Sequence, residues 1–381
     1  MNQTHNGYTW NFLLSALQKN DIVTLREYLK RDKSLMFLNK LGITASYQNP
    51  ISKEAIDLFL EYGMDVNYET KAQESMLSVA INKGDLNIVR HLLDKGANKN
   101  ILHFSPFMFI ILYGTNEQLE SARTNTYVDI SHRGLWSLTP LLLAIQGGDI
   151  NKVKIVLSAG ANLDERGHCD QRPLFYAVRG NHLPMVKFLI EQGANAFDED
   201  EDSVTYLMSA AEHNASECIQ FFIDLGLDIH KQDFVQSTAL NYCNTIDSAK
   251  RLIEAGADIN YIDGQGYSLL MSAAEDNNIP LLKYLLTAGA DPNVSSTGVI
   301  ALHHATKSNS LEAMKILLDA GSNPSQPDVD KWTPLHAAHS IEAAEILLRA
   351  GANKKHRNYS GETPADNARR SKELRDFITN W

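Results

Sequence analysis

The sequence has few cysteines and no apolar run long enough to span a membrane. Its three cysteines, Cys169, Cys218 and Cys243, show no Cys-x-x-Cys spacing and cannot all pair with one another. Free thiols suit a reducing compartment, so we expect a cytoplasmic protein. The apolar stretch FMFIILYG at residues 107–114 is far shorter than the ~20 residues of a transmembrane helix. The N-terminal residues also lack the basic and apolar segments of a signal peptide.

Sequence motifs for catalysis and cofactor binding are missing as well. No G-x-x-x-x-G-K-[ST] phosphate loop occurs, and GQG at 264–266 lacks the third glycine and preceding strand of a dinucleotide site. No serine or cysteine stands in a nucleophile elbow or triad context. His339 has no Cys or carboxylate nearby at metal-ligand spacing. We therefore predict a protein that is not an enzyme, with no catalytic residues, cofactor, metal or small-molecule substrate.

Composition and charge indicate an ordered, acidic protein. Apolar residues make up 44% of the chain and charged residues 21%, which is enough to bury a continuous core. The net charge of −11 disfavours a nucleic acid as main partner and fits a basic protein. Residues 198–202 are all acidic but lack the glycine and final glutamate of a calcium loop. They form either a solvated loop tip or a contact for basic residues of a partner.

A short tail recurs along the chain: Gly, then a small or apolar residue, then Asn or Asp. Successive tails lie 30 to 33 residues apart, except for a gap of 64 residues between Gly96 and Gly160. Since that gap is about twice the others, we predict a further repeat inside it that has lost its glycine and contains FMFIILYG. The marker glycines are Gly63, Gly96, Gly160, Gly193, Gly226, Gly256, Gly289, Gly321 and Gly351.

Each repeat has the same internal order, which TPLHAAHSIEAAEILLRAGANKK at 333–355 illustrates. Thr333 is suited to cap a first helix, and Pro334 to its first position, where a missing N–H costs nothing. A second amphipathic helix follows and ends before Gly351, which suits the left-handed conformation of a helix C′ position. Asn353 then opens a polar turn. The pattern predicts helix, turn, helix and an extended loop.

This unit resembles the ankyrin repeat, which has a 33-residue period and a T-P-L-H-x-A signature. The resemblance covers nearly the whole chain and implies about eleven repeats. It predicts an all-α fold, an ankyrin-repeat solenoid of helix-turn-helix units joined by hairpin-like loops. It also implies that His303 and His336, at the fourth signature position, are structural. The signature stands as TPLLLA at 139–144, RPLFYA at 172–177, TALNYC at 238–243, IALHHA at 300–305 and TPLHAA at 333–338.

One repeat cannot bury its own apolar face, so we predict a single solenoid over residues 1–381. It begins with a divergent unit at 1–40, contains a degenerate repeat at 104–134 and ends in a polar cap at 359–381. The repeats that end at Gly256 and Gly351 are about three residues short. We expect that loss between their two helices.

The resemblance also implies a protein partner, bound through the loop tips, here called fingertips, and the exposed side of the first helices. Aromatic and Arg side chains are frequent interface hot spots. Alternatively, fingertip aromatics fold back onto neighbouring loops. The fingertip positions hold Trp136, Phe234, Tyr267, Trp332 and Tyr359, and the inward side of the first helices holds Tyr176, Arg179 and Tyr242.

The degenerate repeat predicts an apolar binding patch. Aligned with Ser105 as helix start, FMFIILYG becomes a first helix with Phe107 and Ile110 in the core, and Tyr127 stands where the marker glycine is expected. Large exposed apolar patches usually mark interaction sites. The alternative is that a distorted repeat repacks and buries these side chains. The patch comprises Phe109, Leu112, Tyr113, Leu135, Trp136, Leu138 and Leu143.

Two functions follow from these features. The first is a stoichiometric inhibitor, such as an immunity protein that covers a toxin or enzyme, and a basic target fits the acidic charge. The second is a scaffold, adaptor or host-directed effector that recruits several proteins. A fold by itself does not decide between them.

Overall fold

The computed structural model describes residues 4–5, 8–9, 13, 15–17, 19–31, 41–43, 51–125, 128–368 and 371–381. The secondary structure of these residues is helical, apart from the two-residue strands Thr4–His5 and Tyr8–Thr9, which pair antiparallel, and one isolated bridge. The prediction of an all-α repeat fold is confirmed. None of the described helices is long and apolar enough to cross a lipid bilayer.

The helices come in pairs along the chain. Short 3-10 helices at Lys99–Leu102, Leu135–Ser137, His168–Asp170 and Pro334–Ala337 lie in loops or replace a first helix. The α-helices are α1 (Ile22–Arg31), α2 (Lys53–Glu61), α3 (Met76–Lys83), α4 (Leu86–Asp94), α5 (Pro106–Tyr113), α6 (Asn116–Asn125), α7 (Pro140–Gln146), α8 (Ile150–Ser158), α9 (Pro173–Arg179), α10 (Leu183–Glu191), α11 (Tyr206–Glu212), α12 (Ser216–Asp224), α13 (Ile246–Glu254), α14 (Leu269–Glu275), α15 (Ile279–Thr287), α16 (Ala301–Lys307), α17 (Leu311–Asp319), α18 (Ile341–Arg349), α19 (Pro364–Asn367) and α20 (Lys372–Asn380).

Residue contacts divide the chain into two compact units. The N-terminal unit comprises Met1–Gly180 and Pro184–Ala194, and the C-terminal unit comprises Asn181–Leu183 and Asn195–Trp381. Within each unit a helix packs against its pair partner and against the equivalent helix of the next repeat, as α14 does with α15 and α16. Each repeat therefore covers the apolar face of its neighbour. The single solenoid over residues 1–381 stays a prediction.

The marker glycines end the second helices, as the sequence predicts. All nine have positive φ, between 89° and 104°. At Gly289 the chain leaves α15 with the N–H of Ala290 donating to Leu285 O (3.0 Å). A Cβ at Gly289 would meet no heavy atom of the described residues within 4 Å. Space for a side chain is therefore available at Gly289, and glycine is needed there because of the left-handed backbone conformation.

Replacing Gly289 with Val should lower the free energy of unfolding by about 1 kcal/mol or more, since an L residue in the left-handed region is strained. Gly289→Asn should cost much less, because Asn tolerates this region. Lys283→Ala, on the exposed side of α15, should change stability by less than about 0.5 kcal/mol. Urea melts of the three variants test this, and equal losses for Val and Asn would contradict it.

The buried histidines of the signature join neighbouring repeats. His303 Nδ1 accepts the N–H of Ile300 (3.2 Å), and its Nε2 lies 3.3 Å from Trp332 O in the next fingertip. His336 makes the same contacts, 3.1 Å from Thr333 N and 3.2 Å from Glu362 O. Both rings are therefore neutral, accepting at Nδ1 and donating at Nε2. Burial lowers the pKa of His303, and burial lowers the pKa of His336 to about 4. Their structural role is confirmed.

Acid should destabilise the protein partly through His336. Its pKa is about 4 in the folded chain and ~6.5 when unfolded, so the unfolded chain binds more protons between these values. The resulting stability is complete above pH ~6.5 and is lost as the pH falls towards 4. Denaturant midpoints at pH 7.5 and 5.5 should therefore differ less for His336→Asn than for the wild type. The exposed His339→Asn is the matched control, and an unchanged pH response in His336→Asn would contradict the assignment.

The two short repeats lose part of their first helix. Full repeats have a first helix of seven or eight residues, such as α16 and α3. The repeat that ends at Gly351 has the 3-10 helix Pro334–Ala337, and the one that ends at Gly256 has turns at 239–242. The expectation that the loss falls between the helices is thus wrong. Three residues are nearly one turn of α-helix, and removing that turn leaves the second helix and the loop in place.

The segment predicted as a degenerate repeat contains a helix pair, α5 and α6. Ser105 caps α5 by accepting the N–H of Met108 (3.3 Å), and Pro106 occupies its first position. Phe107 is buried as predicted, but Ile110 is half-exposed, so its assignment to the core is wrong. Tyr127 lies outside the described residues.

Helix α5 is held between the helices of both neighbouring repeats. Arg90 Nε from α4 donates to Leu112 O (2.8 Å), and Lys152 Nζ from α8 donates to Ile111 O (2.7 Å). These cations satisfy carbonyl groups at the helix C-terminus. The repeats on either side of α5 also contact each other. Gly84 at the end of α3 lies against Gln146 at the end of α7, so closely that a Cβ on Gly84 would be 3.2 Å from Gln146 Nε2.

The predicted apolar patch does not form. Leu112, Leu138 and Leu143 are 1%, 3% and 0% exposed. The patch prediction is wrong for these three residues, because the flanking repeats close over α5 and an almost wholly apolar helix is buried on several sides. The alternative, that the distorted repeat repacks, describes the structure.

Leu112→Ala should therefore lower the free energy of unfolding by about 2–5 kcal/mol, as for other buried leucines. Tyr113→Ala, one residue further along α5 and 49% exposed, should cost less than about 1 kcal/mol. Thermal or urea unfolding followed by circular dichroism measures both. Similar losses for the two variants would mean that α5 is not buried on the Leu112 side.

Candidate functional site

The fingertips of the C-terminal unit are closed by a repeated aspartate contact. Asp233, Asp263 and Asp328 each accept two backbone N–H groups of their own loop on Oδ1, at 2.7 to 2.9 Å. A side chain that replaces backbone partners in this way fixes a turn. The donors are Val235 and Ser237, Gln265 and Tyr267, and Asp330 and Trp332.

Four pairs of neighbouring fingertips are also bonded to each other through the backbone, which ties the members of each pair together. The contacts are Phe234 N to Asp202 O (2.9 Å), Gly264 N to Val235 O (2.9 Å), Val329 N to Thr297 O (2.9 Å) and Tyr359 N to Asp330 O (3.1 Å). The GQG segment is one of these fingertips, with its first N–H engaged by the neighbouring loop.

The acidic run at 198–202 lies on a fingertip of the same unit. Asp200 Oδ1 accepts the N–H of Asp202 (3.1 Å) and of Val204 (2.9 Å), as the other fingertip aspartates do. Glu199 pairs with Lys231 at 3.0 Å. Asp200 therefore closes the loop and Glu199 is ion-paired, whereas Glu201 and Asp202 remain exposed.

Two predicted fingertip aromatics of the C-terminal unit are strongly exposed. Phe234 is 83% and Tyr359 is 69% exposed. The Tyr359 ring lies below the Lys331 ammonium, 4.8 Å from its centroid. Tyr267 and Trp332 are half-buried, and each ring packs against a histidine. Exposed and folded-back fingertip aromatics therefore both occur.

Residues predicted on the first helices mostly serve the fold. Tyr176 is only 4% exposed, so its placement on an open surface is wrong; its hydroxyl accepts the N–H of His168 (3.0 Å). Arg179 donates to Asn82 O (2.7 Å), and the Tyr242 hydroxyl donates to Asp233 Oδ2 (2.5 Å). Arg179 and Tyr242 stay half-exposed.

In the N-terminal unit, the remaining patch residues are separately anchored. Trp136 Nε1 donates to Ser78 O (3.3 Å), and the ring is 36% exposed. Phe109 packs edge-on against Phe104, and the Tyr113 hydroxyl lies 3.4 Å from Asp94 Oδ1. Leu135 is half-exposed.

A cavity of about 350 Å³ lies between three fingertips and helix α16 of the C-terminal unit. We call it the recess. It brings together Tyr267 and Trp332, two predicted binding residues, with His304, Lys307 and Asp328. Ala337 lines it too, at the end of the shortened first helix. Sequence reasoning missed Lys307, Asp328 and the cavity, although the three-residue deficit before Gly351 marked the place.

His304, which lines the recess together with His303, is neutral. His304 Nδ1 lies 3.1 Å from Glu275 Oε2, and its ring centroid lies 4.7 Å from that of Tyr267. Burial lowers the pKa of His304, although Glu275 opposes this shift. Burial and Glu275 together raise the pKa of Tyr267. At neutral pH the ionised groups that line the recess are therefore Lys307 and Asp328, with Glu275 just behind His304.

Charge is unevenly distributed along the chain. Residues 195–330 carry 21 acidic and 6 basic residues, a net charge of −15, whereas residues 1–194 carry 19 acidic and 20 basic residues. The last 51 residues carry 6 acidic and 9 basic residues. The acidity of the protein thus belongs to the first part of the C-terminal unit. Among the described residues, no group of three or more His, Cys, Asp or Glu side chains is arranged to hold a metal ion.

Comparison with known proteins agrees with this architecture. A family model of ankyrin repeats in three copies matches overlapping segments that together span residues 107–373, more than half of the chain. The comparison with curated proteins gave no match. Among solved structures, one similar chain is the ankyrin repeat domain of Bcl-3, described as a unique member of the IkappaB protein family. It is 29% identical, and the match covers 55% of this chain and 98% of that one with a TM-score of 0.46. The family match shows that this chain belongs to the ankyrin repeat family.

Proposed function

We propose that this chain is a non-catalytic binding protein that covers one protein partner stoichiometrically, as an inhibitor such as an immunity protein does with a toxin or enzyme. The observation that carries the proposal is the row of fixed fingertips with the exposed rings of Phe234 and Tyr359. Loops that are already ordered lose little conformational entropy on binding. Ankyrin repeats as a family support protein binding and are typically non-catalytic.

A basic partner is the second part of the proposal. The net charge of −15 over residues 195–330 would attract a basic surface, speed association and repel nucleic acid. An inhibitor that must reach its target quickly benefits from such steering. The proposal involves no membrane and no small-molecule substrate. It places the protein in the cytoplasm, where the three free cysteines are compatible with reducing conditions.

A scaffold or adaptor, or an effector acting in a host cell, is the alternative. One observation favours it: the chain has two compact units, and the basic and acidic residues of 1–194 nearly balance while 195–330 is strongly acidic. Surfaces of such different charge suit two different partners. Stoichiometry separates the alternatives, since an inhibitor saturates at one tight partner and a scaffold holds two or more at once.

The inhibitor proposal predicts fingertip hot spots. Once a partner is captured with the full-length chain and identified, Phe234→Ala, Trp136→Ala or Trp332→Ala should weaken its binding by about 2 kcal/mol or more, roughly thirtyfold in Kd. The circular dichroism melt of Phe234→Ala should stay close to that of the wild type, because this ring is exposed. Titration calorimetry measures Kd and stoichiometry together.

Lys283→Ala on helix α15 is the control for these variants, because its side chain is exposed on a second helix and away from the fingertips. Raising the salt concentration should weaken the complex if the partner is basic. Wild-type affinity in all three fingertip variants would move the interface to another surface. A salt-independent Kd would reject the basic partner.

A further inference from the structure

The recess owes its existence to a departure from the repeat pattern. Helix α16 runs seven residues, but the next first helix is reduced to Pro334–Ala337. The absent turn leaves space beside α16, and the fingertips that carry Tyr267 and Trp332 border it. At about 350 Å³, the cavity falls at the lower end of the roughly 300–1,000 Å³ range of ligand pockets.

The sides of the recess offer flat aromatic surfaces. Tyr267 and Trp332 both line it and are half-exposed. Asp263 and Asp328 bind the backbone N–H groups of the two residues, and each ring packs on a histidine, Tyr267 on His304 and Trp332 on His336. Rigid aromatic faces attract cations through their quadrupole, Trp most strongly.

Acidic groups dominate the charge at and around the recess. Asp328 lines it, and Asp328 Oδ2 accepts no hydrogen bond from the described residues, because the loop uses Oδ1. Glu275 lies behind His304, and the wider segment 195–330 carries a net charge of −15. His303 and His304 are neutral and do not oppose a cation.

We propose that the recess binds the guanidinium group of an arginine side chain that the basic partner presents. This inference rests on the proposed function, since it names a residue type in the partner of the same surface. The guanidinium plane stacks against Trp332 or Tyr267, and its N–H groups donate to the free carboxylate oxygen of Asp328. Arginine fits better than lysine, because its planar group stacks on rings and donates several hydrogen bonds at once.

Among the residues that line the recess, Lys307 is the only Lys or Arg, and its charge opposes this occupant. It stands on the last turn of α16, is exposed and has no ion-pair partner among the described residues. Its long flexible side chain can turn to solvent, but its charge must still repel a bound cation. A substitution at Lys307 therefore reports the sign of the occupant's charge: removing the Lys307 charge strengthens the binding of a cation and weakens that of an anion.

The test uses the whole chain and three peptides in which four Arg, four Lys or four Glu residues alternate with Gly-Ser. Both ends of each peptide are blocked, so that only these side chains are charged. Calorimetry at low salt should show binding of the arginine peptide, weaker binding of the lysine peptide and none of the glutamate peptide. Trp332→Ala, Tyr267→Ala and Asp328→Asn should each weaken the arginine peptide at least about threefold. Lys307→Gln should tighten it. Asp328→Asn keeps the acceptor oxygen that closes the loop.

Phe197→Ala is the matched control, because this aromatic side chain lies in the same unit, is exposed and does not line the recess. Equal binding of the arginine peptide by wild type and all recess variants would show diffuse attraction to an acidic surface and overturn the proposal. Weaker binding by Lys307→Gln, or preference for the glutamate peptide, would overturn it as well. If the proposed function alone fails, the arginine peptide still binds in the recess while no protein partner saturates the chain; if this inference alone fails, a partner still saturates the chain and binds the Asp328→Asn variant with unchanged affinity.

Discussion

Nine second helices end at a glycine in the left-handed conformation, and the rest of the structure depends on that turn. The nine marker glycines hold φ between 89° and 104°, which returns the chain from the second helix into the next loop. Because the same turn recurs at nearly equal spacing, equivalent helices come to lie side by side and bury each other's apolar face. The core is therefore a sum of neighbour contacts, with Leu141, Leu207 and Leu302 each 0% exposed at equivalent positions.

The same regularity builds the binding surface. The fingertips of Asp200, Asp233, Asp263 and Asp328 are each closed by that Asp side chain and bonded to the tip before or after it, so these loops are ordered although they stand out from the helices. The buried histidines add a second link, because His303 and His336 reach the carbonyl groups of the following fingertip. Stability and site geometry thus share the same hydrogen bonds, and substitutions in the loops affect both.

Departures from the repeat give the molecule its individual features. Loss of one helical turn before Gly351 opens the recess beside α16, whereas loss of the glycine near residue 127 accompanies a repeat that is covered by its neighbours. One irregularity therefore exposes polar and aromatic groups, and the other buries an apolar helix. The difference lies in what the neighbours reach: Arg90, Lys152 and Gln146 close over α5, whereas the fingertips that border the recess leave a cavity of about 350 Å³ between them.

The sequence by itself determined the all-helical repeat, its period, the glycine turns and the structural histidines. These are local properties, because caps, turn residues and apolar spacing act within about ten residues. It also identified Phe234 and Tyr359 as exposed fingertips. Only the tertiary structure decided that Leu112, Leu138, Leu143 and Tyr176 are buried and that Tyr267 and Trp332 share a cavity with Lys307 and Asp328. The physical reason is that exposure depends on how side chains from other repeats, tens of residues away in sequence, fill the space left by each irregularity.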